Sequence, residues 1–162
     1  MQANKSSPVR FTLLTAAAAL TAAAAAGLSA ALSLPVWAMF IGWVAFFTRG
    51  LSARDGLGNA LCVALGLGIG AAATLALRSL APSLGAGALP LVVFGVAMAV
   101  VSLRALPVLN NVLGYFLGLI AFFASHLQPT LASVAELAGA AVLGSLAAWT
   151  AHRAQQRLAR AS

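Results

Sequence analysis

Charged side chains are the scarcest class in this sequence. Only 7% of the 162 residues are charged, and only two of them, Asp55 and Glu136, are acidic. A soluble globular domain carries about 25% charged residues, so this chain has too few charges to cover a surface in water. Hydrophobic residues make up 62% of it. Because lipid accepts apolar side chains and requires backbone groups to be bonded within the segment, the composition predicts an all-α membrane protein.

Groups that carry catalytic or metal chemistry are also few. A single cysteine, Cys62, excludes an internal disulfide. The two histidines, His126 and His152, are predicted to lie on opposite sides of the membrane, and no Cys/His set has the spacing of metal ligands. No glycine-rich phosphate loop follows a strand. We therefore expect no enzyme activity, no cofactor and no bound metal.

The net charge of +7 does not indicate nucleic-acid binding, because the basic residues are scattered between apolar runs and at the two ends.

The apolar runs predict six membrane-spanning helices, at 11–33, 34–47, 56–77, 88–103, 105–124 and 131–151. The first run also has the basic start and small residues of a secretory signal, but it is longer than the roughly 7–15 apolar residues of such signals. This favours an uncleaved spanning helix.

The distribution of basic residues predicts the orientation of these six helices. If both termini are cytoplasmic, Arg78 is the one basic residue predicted to lie outside. The eight basic residues predicted to lie inside are Lys5, Arg10, Arg49, Arg54, Arg104, Arg153, Arg157 and Arg160. Such a bias is typical of the cytoplasmic side of a membrane protein. We therefore expect a cytoplasmic segment at 1–9, one transmembrane domain at 10–152 and a basic cytoplasmic tail at 153–162.

One eight-residue pattern occurs twice, as FIGWVAFF at 40–47 and as FLGLIAFF at 116–123. When the chain is aligned to itself at a shift of 76 positions, thirteen of the 35 residues in 40–74 are identical to their partners in 116–150. Chance similarity between Ala/Gly/Leu-rich helices explains the alanines and leucines, but less easily the phenylalanines and glycines. The pattern favours an internal duplication.

If each copy holds three helices, the odd number of crossings inverts the second copy. We therefore predict two inverted three-helix repeats, at 10–80 and 86–152, the arrangement found in many carriers. The motif LPV recurs at a shift of 72 rather than 76. The second copy thus has four more residues, predicted as about one extra helical turn, and this turn contains Asn110 and Asn111.

Four polar residues are candidates for a solute path: Glu136, Asn59, Asn110 and Asn111. A carboxylate at the centre of a spanning helix costs about 2.5–3.5 kcal/mol, so Glu136 is either a proton, cation or hydrogen-bonding site or a structural partner of Arg78 or His126. The three asparagines, Asn59, Asn110 and Asn111, either line a cavity or form hydrogen bonds with backbone groups.

The glycine motifs Gly66-x-x-x-Gly70 and Gly114-x-x-x-Gly118 allow close helix approach. Together with the small size of the chain, they favour tight packing and a homo-oligomer.

The segment LPVWAMFIGWVAFF, the Gly/Ala-rich third run and the closing small-residue helix before a basic tail resemble the YcdZ-like proteins over roughly residues 10–155. These are small bacterial inner-membrane proteins grouped as a domain of unknown function. The resemblance implies a bacterial inner membrane and a multi-helix fold, and supplies no catalytic or binding residues.

The sequence therefore predicts a channel or carrier for a small solute, whose identity it does not define. The alternative is a non-transporting subunit or regulator that packs against another inner-membrane complex.

Overall fold

The structure is a computed structural model and describes residues 8–161. Its six α-helices are α1 (Pro8–Ala31), α2 (Val36–Phe46), α3 (Ala53–Leu84), α4 (Ala88–Ser102), α5 (Val112–Ser125) and α6 (Leu131–Ala161). Short 3-10 turns join α3 to α4 and extend α4, so that helical residues run without a break from Ala53 to Ala105, although the chain reverses direction at Gly85–Gly87. Counted in this way, the described part of the chain has five helices and no strand. The predicted all-α architecture is confirmed.

Three helical stretches are long and apolar enough to cross a membrane: Pro8–Ala31, Ala53–Ala105 and Leu131–Arg160. The helices α2 and α5 are apolar but shorter. The 11 residues of α2 rise only about 16 Å, compared with a hydrocarbon core of about 30 Å. Length and composition therefore support three crossings rather than the six predicted.

The helices that neighbour one another in sequence alternate in direction. Arg10 Nη2 donates to Ala159 O at 2.9 Å and Gln155 Nε2 donates to Leu14 O at 3.0 Å, so α1 and α6 are antiparallel. After the turn at Gly85–Gly87, α4 runs back along α3. The chain then returns to the start of α3, where a Cβ on Gly58 would lie 3.7 Å from Val108 O.

The closest crossing in the first half of α3 is with α5, which runs parallel to it. A Cβ on Gly66 would overlap the carbonyl of Tyr115, and a Cβ on Gly118 would overlap the carbonyl of Val63. Both motifs predicted to allow close approach thus contribute to one interface. Backbones can come this close only where side chains are absent.

A second crossing of the same kind joins α2 to α6. A Cβ on Gly144 would overlap the carbonyl of Met39, and a Cβ on Gly42 would overlap the carbonyl of Ala141. The hydroxyl of Ser145 adds a hydrogen bond to Gly42 O at 2.9 Å. In each crossing, therefore, each helix contributes one glycine that packs against a backbone carbonyl of the other helix.

The positions used in the two crossings correspond in sequence. The matching pairs are Met39 with Tyr115, Gly42 with Gly118, Val63 with Ala141, and Gly66 with Gly144. The short helices α2 and α5 keep the shift of 76 seen in the sequence, whereas the long helices α3 and α6 are related by 78. The alignment at a single shift paired Gly68 with Gly144. That pairing is wrong for the helix contacts, in which Gly66 takes the place of Gly144.

The alternation brings the basic residues together. The starts of α1, α3 and α5 and the ends of α2, α4 and α6 lie at one end of the bundle, which we call the basic end. Its arginines are Arg10, Arg49, Arg54, Arg104, Arg153, Arg157 and Arg160. Lys5 falls outside the described residues. Arg78 lies in the half of α3 that leads to the opposite end.

Three predicted boundaries need correction. First, α3 continues through Pro82 to Leu84, because a proline in the last turn removes only one helical hydrogen bond. Second, α5 begins at Val112, so the four extra residues of the second copy form no helical turn: Asn110 and Asn111 lie in the non-helical segment after Pro107. Third, α6 does not end at residue 151 as predicted but runs unbroken to Ala161, so residues 153–161 are helical.

Candidate functional site

A hydrogen-bonded pair of asparagines lies at the basic end of the bundle. Asn111 Nδ2 donates to Asn59 Oδ1 at 2.8 Å. Both residues are buried, with 2% of Asn59 and 7% of Asn111 exposed. Asn59 comes from α3, and Asn111 is the N-cap of α5, where its Oδ1 accepts from Gly114 N at 3.2 Å. The pair thus joins these two helices across the bundle.

The same pair binds the loop that follows α2. Asn59 Nδ2 donates to Phe46 O at 3.3 Å and to Arg49 O at 2.8 Å, and Asn111 Nδ2 donates to Thr48 Oγ1 at 2.7 Å. Every side-chain nitrogen and oxygen of the two amides therefore has a partner. Buried polar groups that are satisfied in this way hold a single arrangement. We call Thr48, Asn59 and Asn111 the amide cluster.

A polar cavity of about 330 Å³ opens in front of the amide cluster at the basic end. Its lining combines charged and polar side chains: Arg49, Ser52, Arg54, Asp55 and Asn59, with Pro107 and Val108 on the far wall. Ser52 caps α3 by accepting from Asp55 N at 3.1 Å, and its hydroxyl donates to Asp55 Oδ2 at 2.6 Å. The cavity therefore places charged and polar side chains beside Asn59 at this end.

On the other side of the amide cluster the bundle is apolar. The side chains packed there include Met39, Val63, Leu67, Phe122 and Leu137, each 4% exposed or less. The buried polar side chains among the described residues are Ser29, Asn59, Asn111, Ser133 and Ser145, and none carries a charge. The interior is therefore closed in this conformation.

Two of the four candidate residues, Asn59 and Asn111, meet at one site, whereas Asn110 and Glu136 do not join it. Asn110 precedes the N-cap, and its buried Oδ1 has no hydrogen-bond partner. Glu136 is exposed in the second turn of α6, at the opposite end of the bundle from the asparagine pair. Arg78 and His126, which the sequence offered as partners of Glu136, are exposed as well.

Sequence reasoning missed Thr48 and the loop carbonyls that Asn59 binds. Thr48 directly follows the repeated eight-residue pattern, and a polar residue at a predicted helix end was the one available signal. The opposite end has a related cap, in which Thr130 Oγ1 accepts from Ser133 N at 3.2 Å. Thr130 and Ser133 follow Ser52 and Asp55 by 78 positions, the same offset as the crossing glycines.

Among the residues from 8 to 161, no three His, Cys, Asp or Glu side chains are grouped so that they could hold a metal ion.

The fold and this site define an all-helical protein of membrane-protein composition with a polar cavity at one end. The sequence matches the family described as Protein of unknown function (DUF1097) over residues 15–152, and the chain belongs to that family. This confirms an uncharacterised domain family but not the YcdZ-like name. No curated protein and no solved structure matches the chain.

Proposed function

We propose that this protein is a channel or carrier for a small uncharged solute in the bacterial inner membrane, with six crossings and both termini in the cytoplasm. The observation that carries the proposal is the pair of matched glycine crossings, α3 with α5 and α2 with α6. Each half of the chain packs its short helix on the long helix of the other half. Two halves of opposite orientation around a shared interface are the architecture of many secondary transporters.

The packing of the remaining helices supports the inverted repeat. Antiparallel packing of α1 on α6 has its counterpart in α4 on α3, so that exchanging the two halves reproduces the set of neighbours. An odd number of helices in each half reverses the direction of the second half. The echoed patterns at 40–47 and 116–123 thus belong to helices of opposite direction.

In the six-crossing arrangement, the short helices α2 and α5 occupy corresponding positions of the two halves. Short segments at corresponding positions of two inverted halves are the best sequence indication of a substrate path. A bilayer adapts to a short helix by thinning, at a cost of fractions of a kcal/mol per Å of mismatch. The long helices packed against α2 and α5 lessen their exposure to lipid.

The polar cavity and the amide cluster suggest how the path closes. The cavity admits a small polar molecule to Asn59, and the interior beyond the cluster has no charged side chain among its buried described residues. An ion would lose its hydration there without a partner, at a cost of several kcal/mol. A neutral solute is therefore favoured, and passage requires the amide cluster to separate.

The six-crossing topology can be tested by labelling single introduced cysteines. Native Cys62 is 0% exposed and should react slowly, which lowers the background. We expect Ser83→Cys and Gln128→Cys to react with a membrane-impermeant maleimide from the periplasmic side, and Leu51→Cys only after the membrane is opened. Three crossings would instead place residue 83 within the bilayer and residue 51 across the membrane from the N-terminus. Protection of Ser83→Cys on both sides would contradict the proposal.

Transport can be tested by flux into proteoliposomes, using a panel of small neutral solutes. Gly58 lines the polar cavity, so Gly58→Phe should fill the cavity and lower the flux at least tenfold. Gly139 has no atoms within 4 Å of an added Cβ. Gly139→Phe is therefore the matched control and should leave the flux unchanged. Equal flux in the two variants, or no flux of any solute above protein-free liposomes, would contradict the proposal.

One observation favours the alternative of a non-transporting subunit, namely the apolar interior between the amide cluster and the opposite end. This alternative predicts no solute flux and a defined inner-membrane complex recovered with the tagged chain. The flux assay and the recovery of the complex together separate the two functions.

A further inference from the structure

We propose that the groove between α3 and α6 at the basic end binds one anionic phospholipid, with an acyl chain in the groove and the phosphate against Arg153. This site is separate from the polar cavity and does not depend on transport. We call it the α3–α6 groove, and its main lining residues are Phe46, Leu57, Leu146 and Trp149.

The shape and lining of the groove fit a hydrocarbon chain. Its volume is about 270 Å³, and it lies along residues 53–60 of α3 and 142–149 of α6. Eight residues of helix correspond to a length of about 12 Å. The groove begins in the first turn of α3, at the basic end, and continues toward the middle of the bundle. A chain lying in it would be parallel to the helices, as lipid chains are in a bilayer.

The rim of the groove at the basic end carries groups suited to phosphate and ester oxygens. Trp149 Nε1 is buried and has no hydrogen-bond partner among the described residues. A buried donor without an acceptor needs an explanation, for example a ligand that accepts from it. The guanidinium carbon of the exposed Arg153 lies 5.6 Å from the centre of the Trp149 ring. Rotation of the Trp149 ring toward this rim would let a lipid oxygen supply the missing acceptor, and the phosphate would pair with Arg153.

The combination of an apolar groove and a cationic rim favours a phospholipid over a free anion. A free phosphate would gain nothing from Leu57 and Leu146, whereas an uncharged chain would gain nothing from Arg153. Basic pockets between spanning helices on the cytoplasmic side are known sites for anionic headgroups. A larger groove of about 450 Å³ between α3, α4 and α5 has only apolar lining residues, so it has no such rim.

The proposal can be tested with the full chain purified in mild detergent and incubated with equal amounts of phosphatidylglycerol and phosphatidylethanolamine. Native mass spectrometry then counts the lipids that stay bound. We expect one phosphatidylglycerol to be retained several-fold over phosphatidylethanolamine, and Arg153→Gln to lower this retention at least threefold. Arg160→Gln removes the same charge from the last turn of α6 and should leave retention unchanged.

Two further arms separate the sources of binding. Leu146→Trp should fill the groove and abolish retention with Arg153 intact. Inorganic phosphate at millimolar concentration should not displace the lipid. Equal effects of Arg153→Gln and Arg160→Gln, retention in a folded Leu146→Trp variant, or displacement by phosphate alone would each overturn the proposal. If Leu146→Trp does not fold by circular dichroism, the comparison of the two exposed arginines decides.

Discussion

Replacing Gly144 by alanine is expected to destabilise the bundle strongly, whereas the same replacement of Gly139, in the same helix, is not. An alanine Cβ at 144 would overlap the backbone carbonyl of Met39, and the backbone cannot move aside as a flexible side chain does. Forcing apart two packed helices costs about 1–3 kcal/mol or more. At Gly139 nothing lies within 4 Å, and alanine in a helix interior is favoured over glycine by roughly 0.5–1 kcal/mol.

Unfolding in detergent micelles, followed by circular dichroism, measures both effects. The crossing of α3 with α5 offers its own matched pair, Gly66→Ala and Gly68→Ala in α3, because Gly66 meets the carbonyl of Tyr115 and Gly68 meets nothing within 4 Å. The two crossing variants should lose similar stability. If Gly144→Ala proves as stable as Gly139→Ala, the close approach of α2 and α6 is wrong.

Replacing Asn111 by leucine should have the second largest effect, and Asn110, its neighbour, provides the control. Asn111 donates to Thr48 and Asn59 and caps α5. Its loss removes a cap worth about 1 kcal/mol and leaves buried groups unsatisfied at about 1–3 kcal/mol. The Oδ1 of Asn110 has no partner, so Asn110→Ala should change stability by less than about 0.5 kcal/mol.

A double-mutant cycle shows whether the amide cluster acts as a unit. The variants are Asn59→Leu, Asn111→Leu and the double variant, with unfolding free energies measured under one set of conditions. Because the two amides bond to each other at 2.8 Å, the second replacement should cost less than the first. The expected interaction energy is about 0.5–3 kcal/mol. Strictly additive losses would contradict the direct bond between the two amides.

The two asparagine neighbours show where prediction from sequence stopped. The sequence grouped Asn110 with Asn111 in an extra helical turn. In the structure α5 starts only at Val112, so one side chain caps the helix and bridges to α3 while the other remains without a partner for its oxygen. A one-residue difference in the start of a helix rotates a side chain by about 100°. No local pattern defines a start to that accuracy.

Glu136 is a second such case. Its cost in lipid made it one of the four candidates for the solute path, yet it is exposed and lies apart from the amide cluster. The cost of a charge depends on which helix face is covered, and the partners of α6 cover other faces. Thr48, which the sequence did not single out, binds Asn111 because the end of α2 and the start of α5 meet at the basic end.

Composition and apolar runs alone were enough to predict helices of membrane-protein composition, because helix formation and lipid compatibility depend on neighbouring residues in one segment. The repeated pattern at 40–47 and 116–123 likewise marked the two short helices at the correct shift. Which glycines meet which carbonyls, and which asparagine pairs with Asn59, was decided only in the tertiary structure. Those contacts join residues 49 to 105 positions apart, so they depend on how whole helices cross rather than on any local sequence.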